Sequence, residues 1–442
     1  MLAPVVLLLI SAILAAAQSK TLPFPYTQED LPNGLRVVTI PTDTPNVVSM
    51  YIVVQTGSRN EVEAGKSGFA HLYEHIMFRG TEKYSPEQHR AVMQRVGAQS
   101  NASTGSDLTQ YYATFSKDDL GELLAMEADR FQNLKYSVDA FKTETGAVLG
   151  EFNKNSSDPS EVLDEAVYET AFDRHTYRHT TMGYLKDIQD MPQQFDYSLK
   201  FFDRYYRPEY TTIIVAGDVD PKSVRKLVEG SWGAWKRGNY HPDIPVEPPQ
   251  NAPREKHVDW PSSTLPLLTV AFHGPAYSDT DQDFAALDAL AAFAFSRNSD
   301  LYQKLVVQEQ KLDSLSASIG RHVDPNLFSI DARLKRAEDL PYVRDQILAT
   351  VERFRRELVP VKRLETVKSR SRYQFALQMD NSQAVAATVA RFVALKRTPG
   401  TIDKYFALYS RLTPEGVRAA ARKYLTEASR TIVTLTGPGE KQ

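Results

Sequence analysis

The chain has 442 residues, 24% of them Asp, Glu, Lys or Arg, and a formal net charge of −3 at pH 7. That length exceeds one ordinary hydrophobic core and makes two domains the default for a globular chain. The small net charge offers no field to attract nucleic acid or an anionic membrane, and without any cysteine an exported chain must hold its fold by core burial alone.

Residues 1–17 carry no charged side chain, run apolar from Val5 to Leu14 and close in Ala15-Ala16-Ala17, the outline of a signal peptide. No other stretch approaches membrane-spanning length, so the expected location is periplasmic or secreted, with no membrane span in the mature chain. Leu35 to Ile40 and Val47 to Gln55 are β-branched runs bounded by turn residues and are predicted as strands. A helix follows, with Ser67 as its expected N-cap and Gly80 at its end. Ser85-Pro86-Glu87-Gln88 is a capping box with proline at the first helical position, and Gly97 closes that helix. Segments rich in Leu, Ala, Met and Glu from Lys117 to Leu134 and from Asp139 to Asn153 are predicted as two more helices. Strands and helices segregate, which argues for an α+β class.

Between Lys236 and Pro261, Pro242, Pro245, Pro248, Pro249, Pro253 and Pro261 stand among polar residues with no helical or strand period, as in a linker. On either side the sequence ends alike. A helix closing in RYYRPEY runs into TTIIVAGDVD, and later a helix closing in RKYLTEAS runs into RTIVTLTGPG, which points to an internal duplication. The expected organisation is a signal peptide at 1–17, an N-terminal domain at 18–235, a Pro-rich linker at 236–256 and a homologous C-terminal domain at 257–442.

The run HLYEH, His71 to His75, carries the chemistry. On a helix, His75 lies about 40° around from His71 and Glu74 about 60° to the other side, so one ion can meet both imidazoles while the carboxylate points into the same space. Two neutral nitrogens suit zinc, but a catalytic site needs a third protein ligand and an open position for water. With 9 histidines in the chain, this H-x-x-E-H spacing arises by chance in roughly one such chain in a hundred, and the inverted order is a metallopeptidase signature (inverzincin). His175 and His179 also stand four apart, but in a segment read as loop with no acidic residue between them, so a structural or solvated pair is expected; His89 is expected to be exposed.

GFAHLYEHIMFRGT, Gly68 to Thr81, resembles the signature of the pitrilysin/insulinase family of zinc peptidases, in the subfamily that includes the mitochondrial processing peptidase. GAQSNASTGSDLTQYY from Gly97 is similar to that family's substrate-binding strand, and RPEYTTIIVAGDVDP from Arg207 to the end of its first domain. The resemblance implies two homologous α+β domains of the mitochondrial-processing-peptidase-like metallohydrolase fold. It also implies a third zinc ligand at Glu151, with Glu144, seven residues earlier on one helical face, orienting the ligands. Zinc on His71, His75 and Glu151 would then activate water, with Glu74 as general base. Asn101, Ala102 and Ser103 fall in the strand that takes up peptide by strand addition.

The second half departs from this pattern. Sliding the repeat so that Phe295 falls under Phe78 puts DALAA, Asp288 to Ala292, where the first half has HLYEH, so that half lacks the metal donors. Many family members carry there an arginine and a tyrosine in a stretch like LREKRGLAYSV; the matching LVVQEQKLDSL, Leu305 to Leu315, has Val306 and Asp313 at those places. The resemblance therefore implies a zinc endopeptidase acting on unfolded peptides as the catalytic subunit of a heterodimer, whose homologous partner supplies the Arg/Tyr pair, with a homodimer as runner-up. The alternative is a non-catalytic assembly or peptide-binding subunit of the same fold.

Overall fold

The computed structural model describes residues 20–438; the expected signal peptide lies outside the described residues. Two sheets organise the chain. The first is built from β1 (Thr27–Asp30), β2 (Arg36–Pro41), β3 (Val47–Val54), β4 (Gln99–Thr104), β5 (Thr109–Ser116) and β6 (Thr211–Gly217), in the order β1-β2-β6-β3-β5-β4. The second contains β7 (Arg254–Asp259), β8 (Leu267–His273), β9 (Leu312–Ile319), β10 (Leu327–Leu334) and β11 (Arg430–Thr436), in the order β7-β11-β8-β10-β9. Apart from β1 the two orders superpose strand for strand, and β6 and β11 each make the one parallel pairing of their core, with β2 and β7. These are the two strands that follow the repeated helix endings. The molecule consists of two homologous α+β domains, and residues 235–253, without helix or strand, connect them.

In the first half the helices are α1 (Phe69–Ile76), α2 (Pro86–Arg95), α3 (Leu120–Asn133), α4 (Val138–Asn155), α5 (Pro159–Ala171), α6 (Leu185–Asp190), α7 (Phe195–Tyr205) and α8 (Pro221–Trp232). The second half adds α9 (Asp283–Ala294), α10 (Asp300–Tyr302), α11 (Leu340–Arg356), α12 (Val361–Leu377), α13 (Ser382–Lys396), α14 (Gly400–Ser410) and α15 (Pro414–Tyr424). Strand β3 shows why both sheet faces are covered. Val48, Met50, Ile52 and Val54 point into the core beneath α1 and α3, whereas Tyr51 and Val53 point the other way, into the core shared with the second half. That second face is closed by α13, which belongs to the other half; reciprocally, α5 of the first half covers the second sheet along β7, β8 and β11. The halves are thus interlocked by exchanged helices, and Ser49 on β3 is hydrogen-bonded to Ser382 on α13 at 3.0 Å.

The capping box at Ser85 forms as expected, with Gln88 N–H donating to Ser85 Oγ and Ser85 N–H to Gln88 Oε1. The start of α1 differs from expectation. Its N-cap is Gly68, in the left-handed region at φ 88°, and Ser67 Oγ instead donates to Asp187 at 2.6 Å. The N-terminal donors of the helix are taken by Glu61, whose two oxygens accept Gly68 N–H at 2.9 Å and Ala70 N–H at 2.7 Å. A β-carbon on Gly183 would stand 2.7 Å from Gly68 N, so two glycines permit the close approach that seats α1.

Candidate metal centre

Helix α1 presents its histidines towards α4, and the structure brings His71, His75 and Glu151 together, with one donor atom from each lying within 4.8 Å of the others. Glu151 Oε2 is 3.6 Å from His71 Nε2 and 3.5 Å from His75 Nε2. Burial, and then the neighbouring His75, push the His71 imidazole down to about 4, so at neutral pH it is uncharged and its nitrogen lone pair is available. Its Nδ1 is buried with no hydrogen-bond partner among the described residues, which leaves the ring committed to nothing but the site. Two imidazole nitrogens and one carboxylate form a donor set that fits zinc.

Glu144 lies two turns before Glu151 on α4 and is almost fully buried. Its Oε2 stands 3.4 Å from His75 Nδ1, and its Oε1 is paired with Arg79, one turn beyond His75. Arg79 was present in the signature run, yet nothing local marked it as the counter-charge that lets a carboxylate stay buried here. Glu74 is half-buried, and its Oε2 accepts a hydrogen bond from Thr104 Oγ1 at 2.8 Å. Burial raises the Glu74 carboxyl above the ordinary carboxylate range, opposed by that bond. Thr104 is the last residue of β4, and sequence reasoning missed it because no periodicity links it to α1.

Strand β4 is the outer strand of its sheet, paired on one side with β5 in the register Asn101↔Tyr112, Ala102↔Tyr111 and Ser103↔Gln110. Asn101 is exposed, Ala102 buried and Ser103 intermediate, with Ser103 Oγ accepting from Gln110 Nε2 at 3.0 Å. The edge next to the metal donors is therefore open to another extended chain.

Residues 36–184 match the family model of insulinase (peptidase family M16), and residues 195–371 match that of the peptidase M16 inactive domain. The chain belongs to the M16 peptidase family. It is 27% identical over 412 residues to the zinc protease PqqE of Helicobacter pylori, covering 92% of this chain and 91% of the relative. With the mitochondrial-processing peptidase subunit beta of Blastocladiella emersonii it shares 24% identity, covering 97% and 93% of the two chains. The crystal structure of a protease from Helicobacter pylori superposes with a TM-score of 0.85 at 26% identity, over 93% of this chain and 99% of that one. The candidate metal donors of this M16 chain all lie within the first matched segment, and α9 with its DALAA run lies within the second.

The decoy histidines have structural partners. His175 Nε2 is 3.0 Å from Asp324, and Tyr177 N–H donates to His175 Nδ1; His179 Nδ1 meets the Thr180 carbonyl at 2.9 Å and lies 3.7 Å from Glu61. His89 is not exposed as expected. It is mostly covered, 3.2 Å from the buried Glu127 of α3, which Arg130 also pairs.

Proposed function

We propose that this chain is a zinc-dependent endopeptidase that hydrolyses unfolded peptides and serves as the catalytic subunit of a heterodimer. One observation carries the reading: His71, His75 and Glu151 converge within 4.8 Å beside a Glu74 tied to the end of an open strand edge. The zinc-protease names of its relatives agree with it. His71, His75 and Glu151 would hold the metal, which when bound supplies Lewis acidity towards water and towards the scissile carbonyl. Glu74 takes the proton of the attacking water and returns it to the departing amine. Its raised carboxyl makes it a stronger base towards the attacking water than a fully solvated glutamate would be. Glu144 fixes the His75 ring through Nδ1, so that Nε2 faces the metal. Asn101, Ala102 and Ser103 receive the peptide along β4, where main-chain hydrogen bonding demands an extended chain and excludes folded domains.

The heterodimer rests on the second half. Val306 packs against the core and Asp313 is an exposed carboxylate on β9, so neither supplies the donors of the family's Arg/Tyr pair; a homologous subunit would bring them. A homodimer is the runner-up. Export to the periplasm or beyond rests on the apolar outline of residues 1–17.

The test is turnover of quenched fluorescent unfolded peptides by the zinc-loaded mature chain, alone and with a homologous chain that lacks the zinc motif, with Glu74→Gln as control. Cleavage only in the pair, and lost in Glu74→Gln, supports the whole reading. Full activity alone removes the partner and keeps the peptidase. Absence of cleavage in both settings overturns the peptidase.

A further inference from the structure

The second half contains a cavity of about 520 Å³ at the place where its own metal site would be. Asp288 on α9 stands at the repeat position of His71, and Gln374 stands as far into α12 from its cap Pro360 as Glu151 stands into α4 from Ser137. Both line this cavity, whose floor is aromatic: Phe375, Phe392, Tyr405 and Phe406. The volume is that of a ligand or side-chain pocket rather than a packing fault. Its wall on the first-half side is the turn 105–108, which continues directly from Thr104, the residue that holds Glu74. A peptide laid along β4 past the metal donors therefore runs into it.

The charges in the lining are unevenly committed. Of the two carboxylates, Asp107 accepts from Tyr177 Oη at 2.6 Å and is 2.9 Å from His322 Nδ1, and Asp288 is engaged by the Tyr405 hydroxyl. The two guanidinium groups are less fully engaged. Arg321 lies over the Phe392 and Tyr405 rings at 5.3 and 5.5 Å, bonded to the Tyr405 hydroxyl and only loosely paired with Asp288 at 3.9 Å. Arg391 is exposed and makes no ion pair among the described residues. Rings orient the Arg321 fork, and of its five donors those that Tyr405 does not use remain for a planar acceptor. We propose that this cavity is a substrate subsite that takes a carboxylate, either an acidic side chain or a peptide C-terminus. The proposal rests on the peptidase reading above.

Binding is measured by fluorescence anisotropy on the full, zinc-loaded chain carrying Glu74→Gln, so that nothing is turned over. The probes are one labelled peptide in three forms: neutral and amidated, amidated with a glutamate walked along its length, and neutral with a free C-terminus. The expected result is about tenfold tighter binding of one carboxylate form over the neutral peptide, as a charge-assisted pair gives. The form that gains identifies the source of the carboxylate. Adding Arg321→Gln or Arg391→Gln should bring that ratio to about one, and Arg391→Glu should invert it. Arg391 is exposed, so its variants decide the matter even where Arg321→Gln impairs folding. Equal binding of all three forms, a preference that survives both glutamine variants, or no binding of any form overturns the proposal. Hydrolysis of the neutral amidated peptide by the unmutated chain, alone and with the homologous chain, tests the peptidase reading separately.

Discussion

The two halves place α1 and α9 on equivalent strands of equivalent sheets, yet the helices have opposite characters. Helix α1 carries His71, Glu74 and His75 into a polar cluster backed by Glu144 and Arg79, while α9 is apolar nearly all round, with Ala291 and Ala292 at the positions of Glu74 and His75. The scaffold therefore does not need the site, and the site does not define the scaffold. What distinguishes the halves is a shell of partners: the polar side chains of α1 are tolerable because Thr104, Glu144 and Glu151 meet them, and no such shell surrounds Ala291 and Ala292 on α9. A cavity remains in its place.

Removing donors one at a time from the first half should make it resemble the second. The largest effect is expected from Glu151→Gln, which should abolish zinc retention and all turnover together, read by metal analysis of the purified chain. Glu144→Gln should be milder, weakening zinc affinity by about 10- to 100-fold through loss of the His75 contact, measured by competition with a chelator. The opposite substitution, Ala291→Glu, puts a carboxylate at the Glu74 position of α9, where the site is 4% exposed and no Thr104 equivalent waits. It should cost roughly 2–4 kcal/mol in denaturant unfolding and create no metal site.

The smallest effect concerns the joint between the halves. Burial raises the Asp324 carboxyl, but hydrogen bonds from His175 and Arg59 outweigh it and hold the group at about 2. Its folded value is depressed, so the stabilisation is present above the ordinary carboxylate range and is lost as pH falls from about 4 through about 2. Asp324→Asn should remove on the order of 1–2 kcal/mol at neutral pH and flatten the acid limb of the stability curve across that window, seen in urea titrations at several pH values.

These contrasts also mark what the sequence could reveal. The duplication was legible because the helix-to-strand endings at Arg207 and Arg430 recur as a local pattern, and the α1 cluster because its spacing is helical. Glu151 was reachable only through family resemblance, since any glutamate on a long amphipathic helix would look the same. The start of α1 was misjudged because Ser67 has the chemistry of a cap, whereas the actual acceptor, Glu61, lies outside the helix and reaches it through a glycine turn. The exchange of α5 and α13 between the halves left no trace in the sequence, because an apolar helix face does not record which sheet it covers. Thr104 and Arg79 were invisible for the same reason: their partners are distant along the chain.

In the proposed function, His71, His75 and Glu151 hold zinc for a proton transfer carried by Glu74. The most direct test measures zinc content and peptide turnover side by side, in the same partner setting, for the unmutated chain and for Glu74→Gln. One zinc per chain is expected in both proteins and turnover in the unmutated protein alone, with a loss of at least about 100-fold on substitution. Turnover that survives Glu74→Gln, or an unmutated chain that cleaves peptides without zinc, would contradict it.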